Sequence, residues 1–231
     1  MERSTPLQRI APPKLVFWDW NGTLLNDAQY ALGVRNRVFP RFGLSALPDL
    51  AAYHAQFTFP VKLYYTRAGV TEDTFVEVAN AWMDEYLRGC DSVPLFEDAR
   101  DTLAAFAEAG SRQVVLSASE LGALTKQLTG AGIAERFDAV LGLSHIYATS
   151  KEQIGQRYLA GSGVSPDECL MLGDTLHDAE VAAALGCACV LIARGHQSRE
   201  TLLGAGVPVA DSLAEAAAIA LGRKTDAPWR R

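Results

Sequence analysis

A chain of 231 residues, 49% of them apolar, holds one substantial domain or a core domain with a smaller insertion, and is too apolar to stay disordered. A net charge of −6 argues against nucleic acid as the main partner. Residues 1–14 lack a secretory hydrophobic core and the longest apolar stretch, 181–193, is broken by Gly186 and too short to span a bilayer, so the expected setting is the cytoplasm, away from membranes.

The first predicted element is the apolar run Leu15–Trp18, a buried strand that ends at Asp19 and turns at Asn21-Gly22-Thr23. Helix-like segments follow at 28–39, 50–57 and 71–87, with breaks at 40–43, at Phe59-Pro60 and at 69–71. Roughly ninety residues separate the first strand from the second, far more than a crossover helix needs. The excess predicts a small helical insertion over 28–91, entered and left through linkers near 25–27 and 90–94, in a core made of 1–27 and 92–231.

An amphipathic helix beginning near Phe96 leads back to the core, and apolar runs at 113–116, 139–143, 169–172 and 189–193 read as further strands. None alternates, as expected of strands buried on both faces of a parallel sheet. Helical patterns separate them. Ser119 opens a segment ending at Gly130, Ser150-Lys-Glu-Gln153 has capping-box spacing, and Asp178 opens 179–185 with Gly186 just past its end. An alanine-rich helix at 213–221 comes last, before a basic tail of Arg223, Lys224, Arg230 and Arg231 that reads as solvated. The expected fold is α/β, a doubly wound parallel sheet. Cys90, Cys169, Cys187 and Cys189 have no metal-ligand spacing and are expected reduced and mostly buried.

Ligands of doubly wound sheets bind beyond the carboxyl ends of the strands. Polar residues stand at four such ends: Asp19; Ser117-Ala118-Ser119; Thr149-Ser150-Lys151; and Gly173-Asp174 with Asp178 four residues on. Singly, Asp19 reads as a turn residue, the serines as helix caps and Asp178 as an N-cap. Lys151 is different, because a cation in a first helical turn opposes the helix dipole.

Together, Leu15-Val-Phe-Trp-Asp19-Trp-Asn21-Gly22-Thr-Leu24 and Gly173-Asp174-Thr-Leu-His-Asp178 resemble motifs of the haloacid dehalogenase-like hydrolases, in order and spacing, over nearly the whole chain. Within that family it resembles the phosphoglycolate phosphatase-like branch, with a helical cap between the first two motifs. The resemblance implies a hydrolase acting on a small phosphorylated metabolite, with Asp19 as nucleophile forming an aspartyl-phosphate. It implies Mg²⁺ at Asp19, Asp174 and the main-chain carbonyl of Asn21, with Asp178 as ligand or support. Gly22, Ser117, Ala118 and Lys151 would hold the phosphoryl oxygens, and Asn21 and Lys151 share the catalytic work.

One residue departs from the pattern: the phosphatases have a second aspartate where this chain has Asn21. An amide neither protonates a leaving oxygen nor activates water, a loss on the order of 10²–10⁴ in rate that acyl and aryl phosphates would feel least. Two alternatives stay open. A phosphonatase-like C–P hydrolase, whose branch also has tryptophan after the nucleophile, would use Lys62 of the insertion, and a non-catalytic module would bind a phospho-ligand. Tyr64, Tyr65, Arg67 and His54 join Lys62 as guesses for the substrate wall. Oligomeric state is left open.

Overall fold

The computed structural model describes residues 11–143 and 150–222. Thr149 and the basic tail lie outside the described residues. After β1 (Leu15–Trp18) come α1 (Ala28–Val38), α2 (Leu50–Gln56), α3 (Val61–Arg67), α4 (Phe75–Leu87) and α5 (Ala99–Glu108). Then β2 (Arg112–Glu120), α6 (Leu121–Gly130), β3 (Ala139–Leu143), α7 (Lys151–Ser162), β4 (Cys169–Gly173) and α8 (Leu176–Leu185) alternate, followed by β5 (Ala188–Ile192), α9 (Arg199–Leu203), β6 (Val209–Ala210) and α10 (Leu213–Ala220).

The six strands form one parallel sheet in the order β3-β2-β1-β4-β5-β6. Side chains along a strand alternate between its faces, and here both faces are covered. Val16, Trp18, Val115, Leu172 and Ile192 pack under α5, α6 and α10. Leu15, Phe17, Leu116, Met171 and Leu191 pack against α7, α8 and α9. That two-sided burial is why the runs looked unalternating. Each such side chain contributes about 1.5–3 kcal/mol of transfer free energy. The two tryptophans beside Asp19 belong to this core. Trp18 Nε1–H donates to Gln113 (3.0 Å) and Trp20 Nε1–H to Gln127 (2.7 Å), so neither buried indole is left unpaired.

Helices α1–α4 enclose a separate cluster that includes Val34, Val38, Phe39, Tyr53, Tyr64, Tyr65, Val78 and Tyr86. The two chain segments joining them to the sheet run side by side. Asn26 N–H donates to Pro94 O (2.9 Å), Phe96 N–H donates to Leu24 O (3.0 Å), and Leu25 bridges Leu95 antiparallel.

Local expectations need four corrections. Ser119 lies inside β2, and Glu120 caps α6 by accepting from the Gly122 and Ala123 amides. Asp178 is the third residue of α8 rather than its cap; Thr175 precedes the helix, and the Asp178 carboxylate reaches back to it. The helix expected from residue 71 begins at Phe75. Helix α3 and the two-residue β6 had no counterpart in the sequence reading. Ser150 does cap α7, accepting from Gln153 N–H, and Gly186 closes α8 at φ 73°. All four cysteines are free. Among the described residues no helix is long and apolar enough to cross a membrane.

Candidate active site

The strand order reverses between β1 and β4, and the polar strand-end residues converge there. Asp19 follows β1 directly, its N–H bonded to Leu172 O of β4 (2.9 Å). Asp174 follows β4, and Asp178 stands one turn into α8. One carboxylate oxygen from each of Asp19, Asp174 and Asp178 lies within 4.8 Å of the others. Lys151, at the first position of α7 and 4% exposed, places Nζ 2.6 Å from both Asp19 Oδ1 and Asp178 Oδ1. Thr23 Oγ1 bridges Asp19 Oδ2 (3.2 Å) and Asp174 Oδ1 (3.3 Å). The lysine that is unfavourable for its helix is thus the counter-ion of a buried acidic cluster.

One cation does not neutralise three carboxylates. Burial pushes Asp19 up to about 6, against the opposing pull of Lys151, and pushes Asp174 up to about 8. Such a set of hard oxygens with surplus negative charge fits a divalent cation such as Mg²⁺. The backbone is shaped around it. A Cβ on Gly22 (φ 72°) or Gly195 would run into the Asp174 carboxylate, and one on Gly173 into Asp178. Asp178 already accepts from Lys151 on one oxygen and from the Asp174 and Thr175 amides and the Thr175 hydroxyl on the other.

Both upward shifts act on stability in one direction. The folded, metal-free chain keeps protons that an unfolded aspartate releases near pH 4. Stability therefore falls as pH rises through about 6 and about 8, and a bound cation takes the protons' place. The Tm of metal-free protein is expected to drop between about pH 6 and 8, and saturating Mg²⁺ to raise Tm more near pH 8 than near pH 5. Equal Mg²⁺ shifts at the two pH values in a melting experiment would contradict this.

Asn21 is enclosed by partners. Its Nδ2 donates to Asp27 Oδ2 and to Tyr86 Oη, both at 2.8 Å, and its Oδ1 accepts from the Ser119 hydroxyl (2.9 Å). These partners also fix which end of the amide is nitrogen. Asp27 takes two further donors on Oδ1, the Gly22 N–H (2.7 Å) and His196 Nε2 (3.1 Å), while Tyr86 O–H donates to its Oδ2 (2.7 Å). Burial alone would raise Asp27, but the His196 charge and these donors hold it below the usual carboxylate range. Burial likewise works against a charged His196, and Asp27 outweighs it, lifting the ring to about 9. His196 Nδ1 meets Tyr53 Oη of α2 (2.9 Å), and its backbone N–H donates to Asp174 Oδ2 (2.5 Å). Tyr53 and Tyr86 thus bring two inserted helices onto one buried ion pair beside the carboxylates.

Several expected site residues are placed differently. The Gly22 amide donates to Asp27 Oδ1 and to Leu25 O, and glycine is required there for its φ and its closeness to Asp174. Lys62 is exposed on α3 and pairs with Glu72 (2.5 Å) above the Phe75 ring. Tyr64 and Tyr65 are buried in the core of the insertion, and Arg67 is exposed. His54 does reach the sheet side, its Nε2 3.0 Å from Gly195 O. Ser117 is buried within β2, three residues before its end, with Ala118 exposed next to it. Thr23, Asp27, Tyr53, Tyr86 and His196 were not anticipated as site residues. His196 lies three residues beyond Ala193, just past β5, where the strand-end rule used for the other four also applies.

The model of the haloacid dehalogenase-like hydrolase family matches residues 13–186. The chain belongs to that family. No curated protein sequence matches it. Among solved structures, this family member is similar to a haloacid dehalogenase-like hydrolase from Streptococcus pneumoniae (18% identity, TM-score 0.77, 89% of this chain and 97% of that one). It is also similar to a predicted phosphoglycolate phosphatase from Haemophilus somnus (21% identity, TM-score 0.73, 88% and 96%). A third is protein tyrosine kinase A from Mycobacterium tuberculosis (24% identity, TM-score 0.77, 91% and 99%). At these identities the likeness is one of fold, the haloacid dehalogenase-like core with its inserted helices.

Proposed function

We propose that the chain is a Mg²⁺-dependent phosphatase that hydrolyses a small phosphorylated metabolite through an aspartyl-phosphate on Asp19. The observation carrying this reading is the buried Asp19 carboxylate, held 2.6 Å from Lys151 within a three-carboxylate cluster. Asp19, Asp174 and the Asn21 main-chain carbonyl would hold the ion, which when bound would offset charge on the phosphoryl group. The Asp178 oxygens are committed to Lys151 and to amides, which favours a supporting role for that residue.

In the first half-reaction Asp19 attacks phosphorus and the leaving oxygen departs. Lys151, Ser117 and the backbone at Ala118 hold the phosphoryl oxygens and balance their charge. In the second, water attacks phosphorus and the Asp19 Oδ–P bond breaks, releasing inorganic phosphate. Residues 28–91 act as a cap on the core formed by 1–27 and 92–231, excluding water while the phosphoryl group transfers. We place this chemistry in the cytoplasm.

The phosphonatase alternative requires Lys62 at the reacting centre, whereas Lys62 is exposed and pairs with Glu72, which favours the phosphatase reading over it. Nothing specific favours a binding module without turnover. The test is phosphate release from p-nitrophenyl phosphate. Turnover is expected with Mg²⁺, lost in EDTA and recovered on adding Mg²⁺ back. Silence across a panel of phosphate esters would sink the proposal.

A further inference from the structure

Resting on that reading, we infer that the natural substrate is an aryl phosphate, an ester whose leaving oxygen departs as a stabilised anion and needs no proton from the protein. The first support is the hydrogen-bond accounting around the position that would face the leaving group. Both Nδ2 hydrogens of Asn21 go to Asp27 and Tyr86, and the Ser119 hydroxyl hydrogen goes to Asn21 Oδ1. The Tyr86 hydrogen goes to Asp27, which accepts four donors in all. The two ring nitrogens of His196 are engaged by Asp27 and Tyr53. Asn21, Ser119, Tyr86 and His196 thus leave no donor for a departing oxygen. Freeing one would strip a buried partner, at a cost that works against catalysis.

The second support is independent and comes from the inserted helices. What they lay over the loop after β5 and the first turn of α8 is aromatic. Phe57 stacks on His196 with centroids 5.1 Å apart, and Phe59 stacks on His177 at 4.8 Å. Tyr53 stands edge-on to His196 at 5.9 Å. Phe57 and Phe59 are only partly buried, so each keeps surface for another ring. Arg41 and Arg67 are exposed, and the other four cations of the insertion are committed elsewhere: Arg37 and Arg88 to Glu85, Lys62 to Glu72, and Arg35 to Ser45 O. A second anionic group on the substrate would find no partner among them, whereas a planar apolar leaving group suits the shelf.

The step balances without an added acid. Asp19 Oδ forms a bond to phosphorus as the P–O(aryl) bond breaks. The electron pair leaves on the phenolate oxygen, which takes a proton from solvent. Water then attacks phosphorus, the Asp19 Oδ–P bond breaks, and inorganic phosphate leaves with the water's oxygen.

The test compares kcat/KM of the full-length Mg²⁺ enzyme for p-nitrophenyl phosphate, phenyl phosphate, glycerol 3-phosphate and acetyl phosphate, with Phe57→Leu alongside. The aryl esters are expected to exceed the alkyl ester by about 10²–10⁴-fold, the share an acid would otherwise supply. Phe57→Leu is expected to lower the aryl-to-acetyl ratio by up to about tenfold, the scale of one aromatic contact. Phe59→Leu provides the same reading if Phe57→Leu does not fold. An alkyl ester within about tenfold of the aryl esters would overturn the inference while leaving the phosphatase intact. A preference for acetyl phosphate that neither phenylalanine affects would overturn the aryl assignment in favour of an acyl phosphate. No phosphate from any compound, together with no labelling of Asp19 by acetyl phosphate, would bring down the phosphatase reading itself.

Discussion

Asp19→Asn is expected to cut turnover on the order of 10⁴-fold or more, the scale on which removal of a covalent nucleophile acts. The fold should survive the change. Lys151 keeps its 2.6 Å bond to Asp178, so the buried ammonium is not stranded. Burial also makes the ionised Asp19 costly, which is why its pKa is pushed up to about 6. A neutral amide removes that cost, and the metal-free variant should melt no lower than wild type near pH 7.5. The Mg²⁺-induced rise in Tm should shrink, because one carboxylate ligand is gone. Phosphate release and thermal melts on the same preparation give both readings. Retention of more than about a hundredth of wild-type turnover would remove Asp19 from the nucleophile's role.

How far the site could be read in the sequence follows from the kind of contact involved. Asp19, Asp174 and Lys151 each sit at the carboxyl end of a buried strand or the start of the next helix. Apolar runs reveal such positions because the sheet is covered on both faces. Their convergence depends on topology, and the order β3-β2-β1-β4-β5-β6 brings β1 and β4 together. The Asp27–His196 pair was hidden for the opposite reason. It joins residues 169 apart, and a histidine between Gly195 and Gln197 has no local pattern to mark it.

Between the first two strands, helical material was legible in the sequence and its detail was not. Helix α3 is seven residues long and begins just after the Phe59-Pro60 turn, so its periodicity hardly develops. Tyr64 and Tyr65 looked like wall residues because tyrosine is amphipathic. In the structure their rings fill the cluster formed with Phe39 and Tyr53, where aromatic area contributes most. Lys62 was attractive as the insertion's only lysine, and an exposed partner, Glu72, accounts for it.

Asn21→Asp is expected to raise kcat on alkyl phosphates by on the order of 10²-fold, with a gain on p-nitrophenyl phosphate below about tenfold. The Asn21 amide sits 2.8 Å from Asp27 Oδ2, so the introduced carboxyl would face a carboxylate across one hydrogen bond. Two carboxyl groups that close cannot both ionise, and the pair retains a proton at neutral pH. That proton is what a poor leaving group lacks in the wild type. An aryl leaving group does not need it, so the gain should be selective. Tyr86 Oη loses the amide donor it now has, costing about 1 kcal/mol. The retained proton also makes stability fall as pH rises through the pair's raised pKa, because the folded state then holds a proton the unfolded state has released. Steady-state kinetics on glycerol 3-phosphate and p-nitrophenyl phosphate, with melts across pH, read all of these effects. Equal gains on both substrates would mean that the amide limits a step common to them, such as water attack on the Asp19 phosphate. No gain on either would mean that the Asp27 network, built around an amide, does not let a carboxyl at this position reach the leaving oxygen.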